Sequence, residues 1–233
     1  MRAIGERVRP LALAGERILP VHPLLAPLFA DGGLRRGTVI GCEGVASLSL
    51  GLALAATASQ AGAWTGIVGL PSLGAAAAVE LGVAMERVFR VSSPPAESAG
   101  QFLAVLAAVA DGVDVLMTAG AGVRAGDARR LAARLSSRGG VLLVVGAPGG
   151  FTPDVVCRVT AVQWTGLEAG EGPGSGTGSG RLTARRATVE SSGRRADRRR
   201  QVELWFPGQA GSLAPLSTVA PQCVAARPVA RAG

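Results

Sequence analysis

The sequence predicts an α/β protein: a mostly parallel central sheet with helices on both faces and an antiparallel hairpin extension at its C-terminal side. Three observations predict it. Between residues 38 and 147, short apolar runs bounded by glycine alternate with alanine-rich stretches of helical length. After residue 150, strand-like segments follow one another with no helix between them. The composition is 48% hydrophobic yet only 3% aromatic, which suits small-residue helices packed close on a sheet. At 233 residues the chain holds one such domain with a sizeable core and is too short for two ordinary ones.

The elements follow in order. Residues 1–30 read as an N-terminal helix and arm, because Pro20, Pro23 and Pro27 break any long helix. The turn ADGGLRRG (30–37) feeds a first central strand over 38–41. Residues 47–61 form a small-residue helix, TGIVGL (65–70) a strand, SLGAAAAVELGV (72–83) a helix and RVFRV (87–91) a strand. PAESAGQFLAVLAAVADG (95–112) is an amphipathic helix closed by Gly112. VDVLMTA (113–119) is a buried strand, GDARRLAARLSSRGG (126–140) a helix with Asp127 near its start, and VLLVVGA (141–147) a continuous apolar strand. Segments 155–167, 181–190 and 200–206 are strand-like. The domain plan is therefore a core over 31–167, a Gly/Ser linker at 168–180 and a basic hairpin at 181–206 that completes the core. A tail over 207–233, rich in Ala, Pro and Gly, orders only on a partner.

Charge and cysteine usage narrow the function classes. All 24 basic residues are arginine, against 16 acidic ones, for a net charge of +8. That balance permits contact with nucleic acid or an acidic partner and proves neither. Cys42, Cys157 and Cys223 are few, odd in number and not in metal-ligand spacing, so they read as reduced thiols of a cytoplasmic protein. The first twenty residues lack the apolar core and small-residue cleavage site of a secretory signal. No uninterrupted apolar run reaches the ~18 residues of a membrane span.

One stretch carries the functional question. GCEGVASLSL (41–50) follows an apolar strand and runs into an alanine-rich helix, the setting of a phosphate-binding loop. Such a loop needs G-x-x-x-x-G-K-[ST]: glycines for close backbone approach, lysine for charge and a hydroxyl for magnesium. Over Gly41, Cys42, Glu43, Gly44, Val45, Ala46, Ser47 and Leu48, only the first glycine is kept. Ala46 replaces the second glycine, Ser47 the lysine and Leu48 the hydroxyl. No lysine exists anywhere in the chain to compensate.

With these residues in view, the chain resembles the RecA-like ATPases over roughly residues 30–165. GCEGVASLSL sits where that family has G-P-E-S-S-G-K-T-T-L. VELGVAMERVFRV resembles its K-L-G-V-D segment, and VDVLMTAGAG its Walker B strand. The resemblance implies a RecA-like three-layer fold. It places the family's catalytic glutamate at Leu70, its Walker B aspartate at Ala119 and its phosphate-sensing glutamine at or beside Ala147. None of these side chains can hold magnesium or neutralise a phosphoryl group, so the expectation is a pseudo-ATPase with no cofactor and no metal. GAGVRAGD (120–127) and PGGFTPD (148–154) stand as shortened forms of the family's two DNA loops. Within that group the chain is most similar to the ImuA-type accessory proteins of the bacterial mutasome. That likeness implies a non-catalytic subunit of error-prone translesion synthesis. Its partner would be a Y-family-like ImuB subunit and, through it, an error-prone C-family polymerase. Self-association through the N-terminal arm and weak DNA contact are further implied possibilities.

The remaining candidates are surfaces. Arg185, Arg186, Arg194, Arg195, Arg198, Arg199 and Arg200 cluster on the hairpin, either as a phosphate or acidic-partner patch or as charges guarding an edge strand. Trp164 and Trp205 are expected to meet as an anchor, in the core or at an interface. Leu213, Leu216, Val219 and Val224 are the apolar residues of the tail. His22 has no motif partner for catalysis. Two other functions stay open: a SulA-like inhibitor that binds the division GTPase, and a working RecA-like ATPase with an unusual loop.

Overall fold

The computed structural model describes residues 17–92, 99–168, 179–194, 198–208 and 210–216. A nine-stranded sheet forms the centre, in the order β11-β10-β9-β8-β3-β7-β6-β4-β5. Six strands are parallel: β3 (Val39–Gly44), β4 (Thr65–Val68), β5 (Val88–Val91), β6 (Val115–Ala119), β7 (Val141–Val145) and β8 (Val155–Glu168). The extension of β9 (Ser179–Ser192), β10 (Arg200–Trp205) and β11 (Ala214–Pro215) pairs antiparallel. The expected α/β class and mostly parallel sheet are therefore present.

Period-2 alternation splits the sheet between two apolar layers. Ile40, Cys42, Val115, Met117, Leu143 and Val145 face one layer with helix α1 (Ser47–Gln60) and with Ala78 of α2 (Ala75–Glu80). Val39, Leu116, Leu142 and Val144 face the other, with α3 (Ala99–Ala110) and α4 (Ala125–Ser137). Helix α2 is half the length that residues 72–83 predict. Gly74 is extended and Leu81 has already left the helix, so six residues remain.

The N-terminal arm is not free over its described part. β1 (Ile18–Pro20) pairs with β2 (Gly33–Arg35), and Leu19, Val21, Leu25, Leu28 and Phe29 are buried in the α1-side layer. The Ser191 hydroxyl donates to the Leu28 carbonyl at 2.6 Å and ties this segment to β9. His22 serves the turn, where its Nδ1 accepts the Leu24 N–H at 3.2 Å and burial lowers its pKa. The proposed helix and self-association site over 1–16 lie outside the described residues, as does linker 169–178.

Two carboxylates fasten the N-terminal ends of the strands. Asp114 accepts from Arg36 Nη1 at 2.8 Å and from the Trp64 N–H at 3.0 Å, while its carbonyl takes the Val141 N–H at 2.8 Å. That single residue joins the entrances of β3, β4, β6 and β7. Asp154 Oδ2 accepts the Val39 N–H at 3.0 Å and its own N–H donates to the Val39 carbonyl, which locks the start of β3 to the start of β8.

At the opposite ends, two loops press backbone on backbone. Gly149 has φ +56°, and a Cβ there would lie 1.9 Å from the Gly120 carbonyl oxygen. Gly149→Ala is expected to cost about 2–3 kcal/mol, because neither the carbonyl nor the left-handed backbone can yield. Thermal unfolding should show the melting temperature falling by roughly 5–10 °C. Gly100→Ala in α3, which meets nothing within 4 Å, should leave it unchanged or slightly higher.

Candidate functional site

In a doubly wound sheet, ligands bind beyond the C-terminal ends of the parallel strands. Here those ends are Gly44, Val68, Ala119 and Val145, and each runs into a loop holding a residue of interest. The first departure from expectation is the path of β3. The sequence suggests a strand that stops at 41 and a loop over 41–48. Instead Gly41, Cys42, Glu43 and Gly44 all pair in register with Val156, Cys157, Arg158 and Val159 of β8. Helix α1 begins at Ser47, so only Val45 and Ala46 connect strand to helix. A phosphate cradle needs a run of free N–H groups curling off the strand end. Here the first half of the would-be loop, Gly41–Gly44, is already spent in the sheet, which leaves only Val45 and Ala46 and the first turn of α1 for such a run.

The side chains agree with the backbone. Ala46 and Leu70 are buried in the α1-side core, and Leu48 and Ala119 pack against it. Ala147 is exposed at the far side of the loop after β7. Apolar atoms of Leu48, Leu70 and Ala119 thus lie where the expected resemblance to RecA-like ATPases would place magnesium and water ligands. Glu43, the one acidic residue kept from the motif, faces away from the core. It accepts from Arg158 Nε at 3.1 Å and from Nη2 as well, and is held as an ion pair across β3 and β8. Cys42 and Cys157 are registered neighbours, both free and fully buried. Burial drives the Cys42 thiol well above its usual pKa and pushes Cys157 up to about 12, so both stay protonated and inert. Among the described residues no group of three or more His, Cys, Asp or Glu is placed to hold a metal ion.

The loops at 120–127 and 148–154 close on each other. Gly150 N–H donates to the Val123 carbonyl at 2.9 Å, and the Gly120 and Gly149 backbones touch. A family model described as the MT3502 N-terminal domain matches residues 27–149. The chain belongs to the MT3502 N-terminal domain family. No curated protein matches it. The MT3502 domain thus spans β2 through β7 and the start of the loop that follows, and β8 to β11 lie beyond the matched span. None of its described helices is long and apolar enough to cross a membrane.

Beyond the MT3502 match, β8, β9 and β10 run on together past Gly44, and after Trp164 and Arg185 β8 and β9 continue as a two-stranded ribbon. The two tryptophans do not meet: Trp164 lies across from Arg185, Trp205 across from Arg186, and β9 runs between them. Arg185 takes the expected anchor role. Its guanidinium lies 5.1 Å from the ring centroids of both Trp164 and Phe206, and its Nε donates to the Phe206 carbonyl.

The arginine cluster is also divided. Arg185 is buried, Arg186 is paired with Glu203 and Arg199 with Glu190. Arg194, Arg198 and Arg200 sit near the β9–β10 turn, at the other end of the sheet from the ribbon tip, and Arg195 lies outside the described residues. The physical reason is strand extension, which at about 3.4 Å per residue carries Arg185 and Arg194 to opposite ends of β9, while the antiparallel return of β10 brings Arg199 and Arg200 back beside Glu190 and Ser191. The tail needs correction at its start, since Leu213 is buried and Ala214–Pro215 pairs with β10. Leu216 is half-buried, and Val219, Val224 and Cys223 lie outside the described residues.

Restoring the motif residues should not restore the chemistry. Ser47→Lys combined with Leu48→Thr is expected to give no magnesium-dependent binding of a fluorescent ATP analogue, because the strand still runs to Gly44. Arg185→Ala should cost about 2 kcal/mol through two lost ring contacts and a buried carbonyl left unpaired. A red shift in tryptophan emission should accompany the lower melting temperature as Trp164 opens to water.

Proposed function

We propose that the chain is a non-catalytic RecA-like interaction subunit of error-prone translesion synthesis, binding a Y-family-like ImuB subunit and, through it, an error-prone C-family polymerase. One observation carries the non-catalytic part: β3 stays paired through Gly44, which leaves two residues before α1 where a nucleotide loop would need a free backbone arc. The apolar Leu48, Leu70 and Ala119 support it, since a site that positions phosphoryl charge needs donors and magnesium ligands there. The RecA-like part draws support from the central place of β3 between β7 and β8, and from an antiparallel extension joined to the β8 side.

Partner binding draws support from where the exposed apolar residues lie. Val45 at the β3–α1 turn and Val162, Trp164 and Leu182 on the ribbon are all exposed at the same end of the sheet, beside the lost nucleotide position. A protein that no longer needs this end for phosphate can use it for contact. Direct DNA binding draws less support. The arginines are split between two ends, and Arg186 and Arg199 already neutralise glutamates.

Two measurements test the proposal together. The purified protein should show no ATP turnover with or without single-stranded DNA. Affinity purification from DNA-damaged cells should return a Y-family-like polymerase subunit. Recovery of the division GTPase instead would replace the reading with a SulA-like one, and DNA-stimulated turnover would end the pseudo-ATPase reading altogether.

A further inference from the structure

Between helix α4 and the loop that leads into β8 the protein has an open cleft of about 400 Å³. It lies where β3 and β8 begin, at the opposite end of these strands from the Val45–Ala46 turn. Residues of α4 form one wall and residues 150–154 form the other. Pockets that take small molecules hold roughly 300–1,000 Å³ and set a few polar groups around an apolar base. This cleft has both parts.

Its base is apolar, because the buried Val39, Ala128 and Phe151 line it. Two exposed arginines stand around it, delivered by different elements. Arg129 comes from α4. The next basic residues of that helix, Arg130 and Arg134, are spent on Asp127 and Asp111. Arg129 instead donates its Nε to the Ala125 carbonyl at 3.3 Å, and its Nη groups have no acceptor among the described residues. Arg194 comes from the turn between β9 and β10, which presses onto the loop. A Cβ at Gly193 would lie 2.4 Å from the Asp154 carbonyl oxygen. No carboxylate among the described residues pairs with Arg194. The Ser136 and Thr152 hydroxyls line the same cleft and have no hydrogen-bond partner there. Asp154 is the carboxylate in the wall, and its Oδ2 accepts the Val39 N–H at 3.0 Å.

Charge and shape together select a ligand class. Two guanidinium groups without carboxylates, and two hydroxyls beside them, match the double charge and the acceptor oxygens of a phosphate monoester. The apolar base calls for more than a bare ion, since it gains only from a ligand with an apolar body. A nucleic-acid strand is the weaker fit. It needs a line of cations and a ring for stacking, whereas these donors surround one small opening that no exposed aromatic side chain lines.

We propose that this cleft binds a small phosphate monoester with an apolar body. The phosphate lies between Arg129 and Arg194, within reach of the Ser136 and Thr152 hydroxyls, and the body rests over Val39, Ala128 and Phe151. The site is separate from the lost nucleotide position, and it stands whether or not the chain binds a polymerase partner.

The test is calorimetric titration of the purified full chain with naphthyl phosphate, and with inorganic phosphate and naphthol as its two halves. Naphthyl phosphate should bind at least about tenfold more tightly than either half. Arg129→Gln and Arg194→Gln change exposed side chains and should melt like the parent protein, yet each should weaken naphthyl phosphate about tenfold or more. Ala133→Phe, at an exposed position in the α4 wall, should fill the cleft and block binding. No binding by the parent protein overturns the proposal, as does undiminished binding by either arginine variant. Naphthol binding as tightly overturns the phosphate contact, and inorganic phosphate binding as tightly overturns the apolar one. A single-stranded oligonucleotide that binds more tightly than naphthyl phosphate, and is weakened by the same two arginine substitutions, assigns the cleft to nucleic acid instead.

Discussion

The arrangement depends on how closely β3 and β8 approach at Gly44. A Cβ at that position would stand 2.2 Å from the Val159 carbonyl oxygen, and the backbone there has φ +91°. Only glycine satisfies both demands. Because it does, β3 keeps its partner for its whole length and then turns within two residues into α1. The same pairing sets Cys42 beside Cys157 and Glu43 beside Arg158, and delivers β8 to the point where the ribbon leaves the sheet. A phosphate loop would have required the strand to let go earlier. Gly44, which stands at a variable position of the nucleotide motif, thus serves to hold the strand in place.

The two ends of the sheet are built on different principles. At the N-terminal ends, Asp114 and Asp154 bridge strand entrances with charged hydrogen bonds to main chain and to Arg36. At the C-terminal ends, buried leucine and alanine fill the space and glycine loops press together. The Glu43–Arg158 ion pair adds a charged contact at that end, across β3 and β8.

Much of the fold was legible from periodicity alone. VLLVVGA and VDVLMTA could only be buried strands, and the helices between glycines fell within a few residues of their observed ends. The departures from the phosphate-loop motif were also legible, because no lysine stands at Ser47 and no acidic residue at Leu70 or Ala119. What the sequence hid was set by tertiary contact. The strand extension through Gly44 depends on a carbonyl more than a hundred residues away, and nothing local distinguishes it from a turn. Arg185 looked like one of seven surface arginines, since burial between Trp164 and Phe206 is decided by which strands become neighbours. Asp114 and Asp154 had a weak signal, each standing one residue before a strand.

The position of β3 has a consequence for how the chain comes together. Its neighbours are not its neighbours in sequence: the contact from Arg36 to Gly139 spans 103 residues and that from Val39 to Asp154 spans 115. On a ribosome, the first central strand emerges with neither flanking strand yet made, while β4, β5 and β6 can already pair with one another. The middle lane of the sheet stays open until β7 and β8 leave the tunnel, and β9, β10 and β11 then add outside β8 in turn. Nascent chains halted before residue 160 therefore carry an apolar strand, Val39 to Cys42, without a partner, which makes this window the one in which a chaperone has most to protect.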